Sequence, residues 1–125
     1  MSKAIITPRD SVQISQKLAG VRDRRYVLRF PFVSHAELVD LDLGTRAEGK
    51  TSDLSLGGCF VCTTRPLGLK ARARMTLTHK GESLEALVVV RIVKPRVGMG
   101  LEFLDLADKH SAVLTRWIDQ LRNKR

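Results

Sequence analysis

Residues 70–78, KARARMTLT, alternate with a period of two. Ala71, Ala73, Met75 and Leu77 share one face, and Lys70, Arg72, Arg74 and Thr76 share the other. Successive side chains point to opposite sides only in a strand, so this stretch predicts a strand with one face buried and one in water, as in an antiparallel sheet. THKGE, residues 78–82, is a hairpin signal, and LEALVVVRIV, residues 84–93, returns as a longer, more fully buried strand. KPRVG then turns the chain into GMGLEFL. Upstream, LVDLDLG sets Val39, Leu41 and Leu43 against Asp40 and Asp42, and the Gly44–Gly49 stretch reads as a turn. Five or six short strands divided by Gly- and Pro-containing turns fit a small barrel or sandwich. Nothing in this region has the spacing of βαβ units.

The period changes at both ends. After Asp105, read as an N-cap with Asp108 three residues on, the spacing becomes helical. Val113, Leu114, Trp117, Ile118 and Leu121 form an apolar stripe, with Arg116, Asp119, Gln120 and Arg122 facing outward. This predicts a helix over about residues 106–121 that packs across one mouth of the barrel, followed by a basic tail at 122–125. Residues 1–21 read as an arm or short helix, with Thr7 as N-cap, Pro8 at the first helical position and Gly20 as its stop. The domain proper is then residues 22–121.

At 125 residues the chain is long enough for one domain with a core that needs no disulfides. Twenty-two Lys and Arg against 13 Asp and Glu give a net charge of +9, which favours polyanionic partners without choosing among them. The charge is uneven: residues 1–30 hold seven basic and two acidic side chains, residues 31–56 two and five. The longest uncharged apolar run, ALVVV at 86–90, is far too short to span a bilayer. MSKAIITPRD lacks the apolar run of a signal peptide, so a cytoplasmic, bacterial-type location is expected.

Cys59 and Cys62 form a C-x-x-C, but no second such pair or nearby pair of histidines completes a tetrahedral site. In a strand, positions i and i+3 face opposite ways, so these read as two buried or half-buried free thiols. His35, His79 and His110 are scattered and read as surface residues, and Ser55 lacks the setting of a hydrolase nucleophile. Neither a metal site nor catalysis is expected.

Two motifs remain. Arg25 and Arg29 form R-x-x-x-R in DRRYVLRF, residues 23–30, with Arg24 directly before the first. About two dozen residues later, Asp53, Ser55 and Gly58 form D-x-S-x-x-G in TSDLSLGGCFV. In isolation the second motif is ordinary turn chemistry. Together, in this order and followed by a β-rich body and a helix, they resemble the PilZ domain family over roughly residues 22–121. The resemblance implies a mostly β fold, a six-stranded antiparallel split barrel with a C-terminal helix, and a receptor for cyclic di-GMP. It implies that Arg25 and Arg29 grip phosphate and guanine, that Asp53 accepts from guanine N1 and N2, that Ser55 hydrogen-bonds the ligand, and that Gly58 admits close backbone approach. Arginine suits that role, since its planar fork matches phosphate or a guanine edge bidentately. By the same resemblance Arg24 favours two stacked ligand molecules per chain over one, while Arg22 and Gly57 are peripheral.

No cofactor is expected beyond that ligand. A stand-alone binding module of this kind acts through a downstream protein, as a monomer or weak homodimer, with the N-terminal arm as its switch. Two alternatives stand beside it. One is a basic small barrel that binds nucleic acid, against which aromatic content of 5% counts, since single-strand binders use stacking platforms. The other is an adaptor of the same fold that binds no nucleotide.

Overall fold

The computed structural model describes residues 28–124. These form seven strands and one helix: β1 (Phe30–Pro31), β2 (His35–Asp40), β3 (Arg46–Leu54), β4 (Gly58–Cys62), β5 (Arg72–His79), β6 (Glu82–Lys94), β7 (Gly98–Asp105) and α1 (Asp108–Arg122). Every pairing is antiparallel. Two meanders, β2–β3–β4 and β5–β6–β7, are joined along two seams, β2 with β5 and β4 with β7, so six strands close into a barrel. The two-residue β1 is appended to the end of β3, pairing Phe30 with Leu54 and Pro31 with Asp53.

The expected alternation in β5 holds. Ala73, Met75 and Leu77 are buried while Arg72 and Arg74 are exposed. The β5–β6 hairpin turns on Lys80 and Gly81, both at positive φ (53° and 81°), which is the two-residue turn that matches strand twist. Inside the barrel, Leu38, Leu54, Val61, Met75, Leu84, Val88 and Met99 make one continuous core.

In β2 the inward set is the opposite of the one that LVDLDLG suggests. Ala36, Leu38 and Asp40 are buried, whereas Leu41 and Leu43 are exposed. The strand stops at Asp40 because its carboxylate turns the chain, accepting the N–H groups of Asp42 (2.8 Å) and Leu43 (3.0 Å). A buried carboxylate with one oxygen accepting two backbone donors is tolerable, and it hides the strand's phase from a hydropathy pattern. The turn accordingly spans residues 41–45, with Gly44 at φ 72°, and Gly49 lies within β3.

The helix begins at Asp108, two residues after the expected start near 106. Ala107 caps it with no side-chain hydrogen bond, and Asp105 is the last residue of β7. Its stripe is as expected: Leu114, Trp117 and Ile118 are buried, and Val113 and Leu121 pack against the core. Trp117 stacks on Phe32 (ring centroids 5.2 Å apart), and Phe32 also meets His79 (4.4 Å), so helix, barrel and incoming chain share one aromatic cluster. His79 is thus half-buried in packing, with Nδ1 3.0 Å from the Val33 carbonyl, contrary to the surface role expected of it. Glu82, at the start of β6, binds Arg116 through both carboxylate oxygens and accepts the Trp117 indole N–H at 3.0 Å. These bonds to Arg116 and Trp117 hold the Glu82 carboxyl down at about pKa 2.

Candidate functional site: the junction of the two motifs

Arg29 and Asp53, 24 positions apart in sequence, meet at 2.8 Å between the guanidinium Nη2 and the carboxylate Oδ1. Three local features bring them together. First, β1 ties the chain just after Arg29 to the end of β3. Second, a bulge in β3 between Thr51 and Asp53 shifts the register against β4, so that Asp53 rather than Ser52 opposes Phe60. Such a bulge re-aims the side chains that follow it, and Asp53 Oδ1 also accepts the Phe60 N–H at 3.2 Å.

The third feature is a buried hydroxyl on Thr51. It donates to the Phe32 carbonyl (2.7 Å) while accepting the Ser34 N–H (2.9 Å). The Ser34 and Thr51 hydroxyls also lie 2.9 Å apart. Backbone bonds from Thr51 N–H to Ser34 O and from Phe32 N–H to Ser52 O complete the strap. The segment that carries Arg29 is therefore fastened to β3 immediately beside Asp53. A Thr in mid-strand carries no distinguishing signal, so only its burial reveals this role.

The remaining residues of the second motif build the loop. Ser55 is 1% exposed, and its hydroxyl accepts the N–H groups of Gly57 and Gly58, each at 3.1 Å. It is a turn-former in this structure, with its side chain turned into the protein. Gly58 is demanded by the barrel: a Cβ there would run into the Leu101 carbonyl oxygen of β7. The close approach at Gly58 is thus between two strands. Gly57 is half-exposed and accepts the Phe103 N–H at 2.9 Å. Arg22, Arg24 and Arg25 lie outside the described residues, as does the expected arm or helix of residues 1–21.

Asp53 and Arg29 remain partly in water, with 29% and 50% of their side chains accessible, so the pair can still be reached by a ligand. Among the described residues Arg29 gives one of its five donors to Asp53, through Nη2. Cys59, which pairs with Leu54 next to Asp53, is fully buried; burial first, and then the Asp53 charge, push its thiol up to about pKa 12, partly opposed by Arg29. Both cysteines are free, but Cys62 is exposed, not buried or half-buried as expected, because i, i+3 spacing in a strand puts it on the face opposite Cys59. Away from this region, His35, Glu37 and Glu48 bring their ligand atoms within 4.8 Å of one another on the barrel wall. His35 Nε2 is hydrogen-bonded within this exposed group, 3.0 Å from Glu48 and 3.3 Å from Glu37. No described helix is long and apolar enough to cross a membrane.

Comparison with known proteins gives one family and a consistent fold. The model of the PilZ domain family matches residues 22–120. Among solved structures, the PilZ domain of CeSA from a cellulose-synthesizing bacterium aligns with a TM-score of 0.61 at 21% identity, covering 77% of this chain and 99% of that one. YcgR of Escherichia coli in complex with c-di-GMP aligns at 0.65 and 19% identity, over 83% of this chain and 48% of that one. The Bacillus subtilis inhibitor of motility MotI/DgrA aligns at 0.64 and 19%, over 84% and 55%. The chain thus spans about half the length of YcgR and MotI. No curated protein matches it. At these identities the structural likeness concerns the fold.

Proposed function

This chain belongs to the PilZ domain family, and on that premise we propose that it is a receptor for cyclic di-GMP. The observation that carries the reading is the meeting of Arg29 with Asp53 at 2.8 Å, on an exposed face, from two motifs 24 residues apart. A dianionic dinucleotide with two guanines needs a fork of donors for phosphate or for guanine O6 and N7, and a carboxylate for guanine N1 and N2. Arg29 and Asp53 supply one of each. Asp53 is oriented by the Phe60 N–H, so its carboxylate is held in place ahead of binding. Arg25 adds a second fork and Arg24 a third, which favours two stacked ligands; Arg22 and Gly57 are peripheral. The partly solvated Arg29–Asp53 pair exchanges mutual contacts for ligand contacts. In this reading the signal passes to a downstream protein through the surface that the ligand and the arginine segment present together.

Isothermal titration with cyclic di-GMP, cyclic di-AMP and GMP tests this. Cyclic di-GMP should bind well above cyclic di-AMP, because adenine presents a donor where guanine presents O6, and well above GMP, which brings one guanine where the cyclic dinucleotide brings two. Equal affinities for the two cyclic dinucleotides would reduce the interaction to charge attraction and end the proposal. The same titration gives stoichiometry, which should fall from two toward one in Arg24→Leu.

A further inference from the structure

The barrel has a second end with a different chemistry. β3 runs from Arg46 to Leu54, so its first residue lies roughly 23 Å from Asp53 by strand rise. At that far end three connections, residues 41–45, 63–71 and 95–97, lie side by side. Backbone hydrogen bonds stitch them to the barrel rim and to one another: Leu41 N–H to Arg72 O (2.9 Å), Lys70 N–H to Val90 O (2.8 Å) and Thr63 N–H to Val97 O (3.1 Å).

Eight large apolar side chains are exposed among the described residues, and four of them (Leu41, Leu43, Leu69 and Val97) sit in these connections. Leu43 is 79% exposed, Leu69 59% and Val97 56%, more than isolated surface leucines need explain when they share one end. The same rim carries Arg46, Arg65, Lys70, Arg72, Lys94 and Arg96, all exposed, against one exposed carboxylate, Asp42. None of these six makes an ion pair among the described residues. The buried Asp40 is committed to its own turn.

We infer that this end docks on an anionic lipid surface. Apolar and basic residues are interspersed here, adjacent in Leu69–Lys70 and Arg96–Val97 and with Arg65 two positions from Leu67. A protein interface segregates them into an apolar centre and a polar rim. A bilayer surface places phosphates and acyl chains within a few ångströms of each other, which suits short apolar tips that dip in beside cations that stay at headgroup level. Charge complementarity selects anionic lipid. In that pose the Arg29–Asp53 face points away from the membrane and stays open to solvent, so the inference does not depend on which ligand that face binds.

Vesicle co-sedimentation of the full chain tests it, with phosphatidylcholine alone and with phosphatidylcholine plus phosphatidylglycerol. The wild type should pellet with the anionic vesicles only, and less as salt rises. Leu43→Ser/Leu69→Ser/Val97→Ser and Arg65→Gln/Lys70→Gln/Arg96→Gln should each lose about tenfold or more in partitioning, with circular dichroism unchanged. Lys109→Gln/Arg122→Gln/Lys124→Gln removes the same charge from the helix and the turn after it and should change it less than about twofold. Failure to pellet overturns the inference, and so does an apolar triple variant that pellets like wild type. Equal losses in the loop and helix variants would mean adsorption by overall charge, and polyglutamate binding in place of lipid binding would mean an acidic protein; either overturns it.

Discussion

Thr51→Val is nearly isosteric and removes one hydroxyl, yet that hydroxyl joins three groups of the strap beside Asp53. The valine leaves the Ser34 N–H and the Phe32 carbonyl, bonded at 2.9 and 2.7 Å in the native chain, without those partners in a buried site. Each orphaned buried group costs about 1–3 kcal/mol. Rotation of the Ser34 hydroxyl, 2.9 Å from Thr51, recovers part of this, so the net loss should be about 2–4 kcal/mol. That is a large share of the roughly 5–15 kcal/mol that holds a domain of this size. Urea unfolding read by the fluorescence of the single tryptophan suits the measurement, because Trp117 stacks on Phe32 within the same strap. The midpoint should fall by about 1–2 M. Thr51→Ser keeps the hydroxyl and should lose only the methyl, about 1 kcal/mol. Loosening the strap also frees Arg29, so cyclic di-GMP should bind about tenfold more weakly to Thr51→Val than to Thr51→Ser. If Thr51→Val unfolds within about 1 kcal/mol of wild type, the hydroxyl does not hold the strap and the argument fails.

Arg29→Ala should lower cyclic di-GMP affinity more than Asp53→Ala, which should cost about 1–3 kcal/mol of binding; loss of folded circular dichroism in Arg29→Ala would make that arginine structural. Gly58→Ala pushes a methyl into the Leu101 carbonyl and should cost about 3 kcal/mol or more, read as a collapse of the thermal transition. Glu82 has its carboxyl lowered from 4.5 to about 2 by Arg116 and Trp117, so its stabilising effect is complete above about 4.5 and is lost as pH falls toward 2. The stability gap between wild type and Glu82→Gln should therefore shrink across that window, and a gap independent of pH would contradict the assignment. A thiol reagent at neutral pH should label exposed Cys62 quickly and Cys59, at about pKa 12, only on unfolding.

Where side-chain chemistry and burial agree, the fold was legible. The β5–β6 hairpin and the Leu114–Trp117–Ile118 stripe follow from spacing alone, because their apolar residues are the buried ones. Reading failed where a polar residue is buried for a local reason. Asp40 points inward to bind two turn N–H groups and so inverts the apparent phase of β2. Asp105 resembles a helix cap but ends a strand, and Ala107 caps with backbone alone. At the candidate site, the meeting of Arg29 and Asp53 was foreseeable only through the family's paired motifs, since nothing local relates positions 24 apart. The inward turn of Ser55 and the bonds of Thr51 and Ser34 depend on a bulge and a two-residue strand, features too short to leave a period.

The two-meander construction of the barrel bears on self-association. Each meander is a contiguous run of chain, residues 35–62 and 72–105, and the linker 63–71 is the sole covalent link between them. Both seams, β2 with β5 and β4 with β7, join one half to the other. The same two seams form if the first half of one molecule closes on the second half of another, so a reciprocal exchange of halves preserves every strand pairing. What favours the solitary form is proximity: a short linker presents one half to the other at an effective concentration of the order of mM. Shortening residues 63–71 until they no longer span the barrel end would remove that advantage and turn the same core into an exchanged dimer.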